Sequence, residues 1–279
     1  MKYTKSKNKI EIFDKSEFNI EQICECGQMF RYFVCEDGSY VVMSGDKLAK
    51  VCELDDKYEI HTNAVDYFVN YFDLDNDYGA IKNNLKHFDV LTKAIENGYG
   101  IRIVSADKFE TIIEFIISAN NNIKRIQKIV EKLCEIAPII KTEFGQFHRF
   151  PTVDELILQS DEWFDNLGAG YRAGYLKQTI KDLKNVDLTK VEKLSSDELY
   201  KWLISLKGVG PKVASCIMLF GFGRREYFPV DTWVEQVYYN HFDKTKRTRK
   251  QIQTYFENIF KENSGIVQQY LFYFERSKK

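Results

Sequence analysis

The chain has no run of apolar residues long enough to cross a bilayer, which takes about 18 in succession. No apolar stretch follows Met1-Lys2-Tyr3-Thr4-Lys5, so no secretory signal is expected, and a cytoplasmic location is. Proline is scarce, with 4 residues in 279, and Gly/Ser clusters are few. A flexible linker is therefore not expected, and the parts of the chain should pack rigidly on one another. The six cysteines (Cys24, Cys26, Cys35, Cys52, Cys134 and Cys216) are scattered. Cytosolic thiols stay reduced, so no disulfide framework is expected. Cys24 and Cys26 are the only close pair, and no second pair or nearby histidine completes a zinc site. No cysteine lies beyond Cys216.

An excess of charge of one sign is also missing. There are 40 Lys+Arg against 41 Asp+Glu, a net charge of −1. Taken alone, that argues against a polyanionic partner. The distribution argues otherwise: residues 201–279 hold 14 Lys+Arg against 7 Asp+Glu. A basic C-terminal portion can present a positive face on a neutral molecule. The run Lys244-x-Lys246-Arg247-x-Arg249-Lys250 is either part of that face or a solvated helix start. Nothing resembles an exposed apolar interface, so a monomer is expected.

A chain this long, 44% hydrophobic, suits two closely packed domains better than one core. Residues 8–62 read as strands. Ile10-Glu11-Ile12-Phe13 alternates, Met29 to Cys35 is aromatic and β-branched, and Asp37-Gly38 and Gly45-Asp46 mark turns. Ala49 to Leu54 and Tyr58 to Thr62 continue the alternation. From Asn63 the period becomes helical: Val65, Phe68, Val69 and Phe72 fall at i, i+3, i+4 and i+7. Helical patterns recur at 80–98, 107–118, 122–137, 153–159, 172–183, 196–205, 211–221, 231–241, 248–262 and 264–275. Strands first and helices after predict an α+β chain. The predicted division is an antiparallel sheet domain with helices at its end, residues 1–95, and an all-α domain, residues 96–279.

The segment richest in chemistry is Leu206-Lys207-Gly208-Val209-Gly210-Pro211-Lys212-Val213-Ala214. Gly-Val-Gly between two helical patterns predicts a tight hairpin, about 197–221 with its flanking helices. Pro211 suits the first turn of the second helix. Backbone N–H groups there point at an anion, and a DNA phosphate is the obvious candidate. Lys212 in that first turn is placed to be a nucleophile. Asp231, nineteen residues on in Phe228-Pro229-Val230-Asp231, is placed to be its acid–base partner. Each piece has a plainer reading. Gly-x-Gly before a helix is a common loop, Lys212 could be a solvated lysine, and Asp231 before Thr232-Trp233-Val234 would serve as a helix N-cap.

This segment resembles the helix-hairpin-helix signature, with its Gly/Pro-rich loop and aspartate, of DNA base-excision glycosylases. From about Glu21 to Phe274 the chain is similar to one branch of them, the 8-oxoguanine DNA glycosylases of the eukaryotic type. Cys26-Gly27-Gln28-Met29-Phe30-Arg31-Tyr32 looks like the family's Ser-Gly-Gln-Ser-Phe-Arg-Trp. The resemblance implies that the Gly27 carbonyl accepts from N7–H of the lesion and repels the bare N7 of guanine. Tyr71-Phe72-Asp73-Leu74-Asp75 also matches and is read as packing. In Ser118-Ala119-Asn120-Asn121-Asn122-Ile123-Lys124-Arg125, the resemblance puts Asn120 and Arg125 inside the duplex on the orphaned cytosine; the plain alternative is a helix stop and cap. In Leu167-Gly168-Ala169-Gly170-Tyr171-Arg172-Ala173 it makes Tyr171 a wedge and Arg172 a second cytosine reader.

In Gly265-Ile266-Val267-Gln268-Gln269-Tyr270-Leu271-Phe272, the resemblance implies that Gln268 reads the base edge and Phe272, on the same helix face, stacks on the purine. Gln269 is the alternative reader, less well spaced. Cys216, one turn after Lys212, would cover the other side of the base, or would simply be core. Backbone groups of Gly208, Gly210 and Val213 would hold phosphate. Trp233 departs from the pattern, because the family has a phosphate-binding histidine there and an indole carries no charge.

These residues together imply a bifunctional DNA glycosylase/AP lyase that extrudes 8-oxoguanine opposite cytosine. Lys212 would attack C1′ as a neutral amine, its pKa lowered by burial and nearby cations and opposed by Asp231. No cofactor is expected, and no iron–sulfur cluster, since the C-terminal cysteines that some relatives carry are missing. A cation at the backbone carbonyls of Ile204, Leu206 and Val209 is the one metal site the resemblance suggests. The alternatives are an alkylpurine DNA glycosylase, which would use the aspartate with water and lack the lysine, and a non-catalytic helix-hairpin-helix DNA-binding module.

Overall fold

The computed structural model describes residues 1–278. Six strands form one antiparallel sheet: β1 (Tyr3–Lys5), β2 (Lys9–Ile12), β3 (Tyr32–Val34), β4 (Tyr40–Ser44), β5 (Lys47–Glu53) and β6 (Tyr58–Thr62), in the order β1-β2-β6-β5-β4-β3. The Gly45-Asp46 turn sets the β4–β5 register, pairing Ser44 with Lys47 and Val42 with Ala49. Alternation puts Ile10, Ile12, Val42, Val51, Tyr58 and Ile60 on one face. That face is covered by Phe18, Ile20 and Ile23 and by Phe68, Val69 and Phe72 of the helix Val65–Tyr71. The sheet followed by helices is the α+β architecture expected.

Several local expectations are corrected. Ile20–Glu25, within the stretch read as strands, is a helix. Its signal was present, since the Asn19 side chain caps it by accepting from Gln22 N–H at 3.0 Å. The helical pattern 80–98 is two helices, Tyr78–Leu85 and Asp89–Asn97. The pattern 122–137 ends at Cys134 and gives way to a hairpin, β7 (Ile139–Thr142) with β8 (Gly145–His148). That hairpin lays Phe147 on Val41 and Leu48, covering the other face of the sheet. The pattern 231–241 is α-helical over Thr232–Val237 and widens to a π-turn over Tyr238–Phe242.

Side-chain packing does not divide at residue 95. The sheet core runs from Ile10 to Leu74 and includes Val104. Tyr78, Leu85, Val90, Leu91, Ala94 and Ile95 belong instead to the helical core, as do Cys26 and Phe30. The amphipathic helix Asp89–Asn97 needs an apolar surface, and the C-terminal helix Ser264–Arg276 supplies it. Arg102, fully buried, ties the two cores together. It donates to the carbonyls of Phe72 (3.0 Å), Asp73, Asn76 (2.9 Å) and Glu17 (3.2 Å), and its guanidinium lies 4.0 Å from the Tyr78 ring centroid.

Candidate active site

A cavity of about 450 Å3 opens where the sheet portion meets the helical core. It gathers residues that are far apart in sequence: Gly27, Lys212, Cys216, Asp231, Trp233, Gln268 and Phe272 all line it. An aromatic wall of Phe30, Phe115 and Phe220 closes one side; Phe115 packs edge-on to Phe30 at 5.6 Å and stacks on Phe220 at 5.5 Å.

Gly27 is held there by its neighbours. The buried Gln28 amide donates to the carbonyls of Arg102 (2.8 Å) and Ile23 (3.2 Å) and accepts from Val104 N–H (2.9 Å). The buried Arg31 pairs with Glu110 at 3.3 Å and donates to the His148 carbonyl at 2.5 Å. Two polar residues of the motif thus fix the backbone on either side of the turn. Gly27 has φ +75°, a left-handed conformation that glycine adopts freely. Its carbonyl accepts no hydrogen bond among the described residues.

The hairpin forms as the spacing requires. Helix Ser196–Ser205 starts with a capping box, Ser195 with Glu198, and helix Pro211–Phe220 has its proline at the first position. Gly208 sits at φ +86°, and a Cβ there would meet the Tyr175 side chain at 2.7 Å. Any larger residue would push the hairpin off the helix that carries Tyr175. The N–H groups of Gly208, Gly210, Lys212 and Val213 have no partner among the described residues. They are the unused donors of a helix start, suited to an anion.

Lys212 is half-buried, with Nζ 5.7 Å from the Phe115 ring centroid. Its pKa does not go down as expected. Burial is the largest influence and lowers it, but Cys216 and Asp231 raise it by more, and no cation is among its influences. Cys216 is buried, and its thiol is pushed up, by burial first. Of the two groups that raise the lysine, Cys216 has the larger influence and Asp231 the smaller. One oxygen of Asp231, Oδ1, accepts from Trp233 and Val234 N–H at 3.0 Å each. The N-cap role and the pocket role coexist, because the second oxygen makes no bond within the cap.

The residues expected to enter the duplex lie outside the cavity on a neighbouring surface. Asn120 is exposed at φ +50°, Tyr171 is 58% exposed, and Arg125 is exposed with one N–H on the Gly168 carbonyl at 3.0 Å. Asn122, not Asn120, is the helix cap. Arg172 is buried, 4% exposed, and donates to the carbonyls of Ala119 (2.6 Å), Asn120 (2.7 Å) and Ala169 (3.0 Å). Its guanidinium braces the Asn120 loop through three of its five N–H donors and keeps two for another partner. Sequence reasoning missed Gln28 and Arg31 as anchors and ranked Gln269 below Gln268, yet both glutamines line the cavity. Among the described residues, no group of three or more His, Cys, Asp or Glu could hold a metal, and all six cysteines are free. The Leu206 carbonyl accepts from Val209 N–H at 3.2 Å and keeps a second lone pair; those of Ile204 and Val209 accept nothing among the described residues.

Comparison with known proteins agrees in both halves of the chain. Residues 11–112 match the 8-oxoguanine DNA glycosylase N-terminal domain, and residues 113–262 match the HhH-GPD superfamily of base excision DNA repair proteins. The N-glycosylase/DNA lyase of Saccharomyces cerevisiae is 30% identical over 262 residues, covering 80% of this chain and 68% of that protein. The N-glycosylase/DNA lyase OGG1 of Arabidopsis thaliana is 38% identical over 149 residues, covering 51% of this chain and 41% of that protein. The 8-oxoguanine glycosylase/lyase of Clostridium acetobutylicum, solved with double-stranded DNA containing cytosine opposite 8-oxoG, superposes with a TM-score of 0.92 at 34% identity. That match covers 100% of this chain and 98% of the other.

Proposed function

The chain belongs to the HhH-GPD superfamily of base excision DNA repair proteins, and we propose that it is a bifunctional glycosylase/AP lyase excising 8-oxoguanine from duplex DNA. The observation that carries this reading is the convergence of Lys212, Asp231, Gly27, Gln268 and Phe272 on one cavity. An alkylpurine glycosylase needs no lysine there, and a pure binding module needs none of the five.

The flipped purine enters between Phe272 and Cys216. The Gly27 carbonyl accepts from N7–H, a proton that guanine lacks. Lys212 passes one proton to water and attacks C1′ as the neutral amine. The C1′–N9 bond breaks, and the purine leaves with the electron pair and takes a proton. Opening of the C1′–O4′ bond, with protonation of O4′, yields the Schiff base. Loss of the C2′ proton to the released purine or Asp231 then expels the 3′-phosphate, which nicks the strand. Asp231 opposes positive charge as it develops on the sugar. The free N–H groups of Gly208, Gly210 and Val213, with the Trp233 side, hold the backbone phosphates, while Asn120, Arg125 and Tyr171 engage the strand and the opposite cytosine.

The chemistry requires no redox cofactor. A cation held by the carbonyls of Ile204, Leu206 and Val209 would supply positive charge toward a phosphate, and no step depends on it. The test is borohydride trapping on a duplex with 8-oxoguanine opposite cytosine. Wild-type protein gives a covalent adduct and Lys212→Gln gives none. Base release without an adduct would replace the lysine mechanism with attack by water, and binding without release would leave only a binding module.

A further inference from the structure

Two successive glutamines line the cavity, and the reading above rests on one of them, Gln268. Gln268 and Gln269 both line it and are 4% and 3% exposed. Gln269 Nε2 donates to Gln268 Oε1 at 3.0 Å. Gln269 Oε1 is sealed from solvent and has no hydrogen-bond partner. Gln268 Nε2 bonds to nothing among the described residues. Each amide has one carbonyl oxygen and two N–H donors. With its oxygen held by Gln269, Gln268 keeps its N–H donors for a ligand, and the acceptor still wanting a donor belongs to Gln269.

We propose that the two side chains form a split reader, with Gln269 as a second specificity residue; this rests on the activity proposed above. Gln268 Nε2 donates to O6 of the purine. Gln269 Oε1 accepts from N1–H or from the N2 amino group. Gln269 Nε2 holds the Gln268 amide in the one orientation that serves this pattern. A buried acceptor without a donor is costly, and that cost is relieved when a base brings an N–H to it. The pair is thereby matched to guanine-type edges, which offer an acceptor followed by donors. It is mismatched to adenine-type edges, which offer a donor followed by an acceptor.

The experiment compares full-length wild type with Gln269→Leu and Gln269→Met on three duplexes carrying 8-oxoguanine, 8-oxoadenine or a preformed abasic site. The abasic site has no base to read, so its trapping by borohydride reports folding and Lys212 chemistry alone. Both variants should lose about 10- to 100-fold in kcat/KM on 8-oxoguanine, keep abasic-site trapping, and show a narrowed 8-oxoguanine to 8-oxoadenine ratio. Unchanged excision of 8-oxoguanine overturns the split reader. So does an equal loss on both lesions, or a loss of excision and trapping together in both variants, since either reports a merely structural role. A wild type that leaves 8-oxoguanine in the duplex overturns the activity and the reader with it, whereas an active wild type matched by its variants overturns only the reader.

Discussion

Replacing Gly27 by alanine separates the cost to the fold from the cost to base recognition. In the free protein the new Cβ would lie 3.5 Å from Phe272 Cε1 and 3.7 Å from Ile123 Cδ1, ordinary contact distances. The stability loss therefore comes from φ +75° alone, about 1–2 kcal/mol for a non-glycine residue. For a chain of this size that lowers Tm by a few degrees. The bound purine meets a larger obstacle. The methyl points at Phe272, the ring on which the base would stack, and moves the base off the Gly27 carbonyl. A lost hydrogen bond with its misplacement amounts to about 2–4 kcal/mol, or about 30- to 1000-fold in kcat/KM. Single-turnover release of 8-oxoguanine reads that loss, and nicking at a preformed abasic site, which has no base to seat, should remain near wild type. Excision at the wild-type rate would show that the base does not sit against Gly27. Parallel loss of excision and abasic nicking would show that the substitution damages the scaffold instead.

Two further outcomes follow from the same geometry. Asp231 raises the Lys212 pKa, so Asp231→Asn should lower it, and the acid limb of abasic-site trapping should move to lower pH even as the overall rate falls. A limb that stays in place or moves to higher pH would refute the assignment of Asp231 as a group that raises the lysine. Arg172→Ala strands three backbone carbonyls and should cost about 2–4 kcal/mol of stability, measured by denaturant unfolding. A variant as stable as wild type would refute the bracing role, and poor discrimination against other opposite bases would mark a direct contact to the opposite base.

Most of the site was legible because its pieces are local. Gly-Val-Gly-Pro-Lys is a hairpin and helix start wherever it occurs, since glycine angles, the missing proline N–H and the unused donors of a first turn are properties of a few adjacent residues. The i, i+4 spacing of Lys212 and Cys216, and of Gln268 and Phe272, put each pair on one helix face by helix geometry alone. The same holds for the β4–β5 turn at Gly45-Asp46 and for the alternation in β2 and β6. The short helix Ile20–Glu25 was legible too, through Asn19 and Gln22, but was overridden by the strand pattern around it.

What sequence could not decide depends on partners remote in the chain. That the Arg172 guanidinium braces the carbonyls of residues 119, 120 and 169 shows only in the fold. Lys212 reads as a lysine with a lowered pKa until the fold brings Cys216 and Asp231 to act on it. The β7–β8 hairpin becomes ordered by covering a sheet face more than ninety residues earlier. Helices 78–85 and 89–97 follow the sheet in sequence, yet pack in the other core, the second of them on the apolar surface that the C-terminal helix offers. Gln269 shows the difference within one residue: sequence put two amides side by side, but only packing sealed one oxygen from water and left it without a donor. Torsion angles, caps and periodicity are fixed by neighbours along the chain; burial, charge pairing and the filling of a hydrogen-bond vacancy are fixed by neighbours in space.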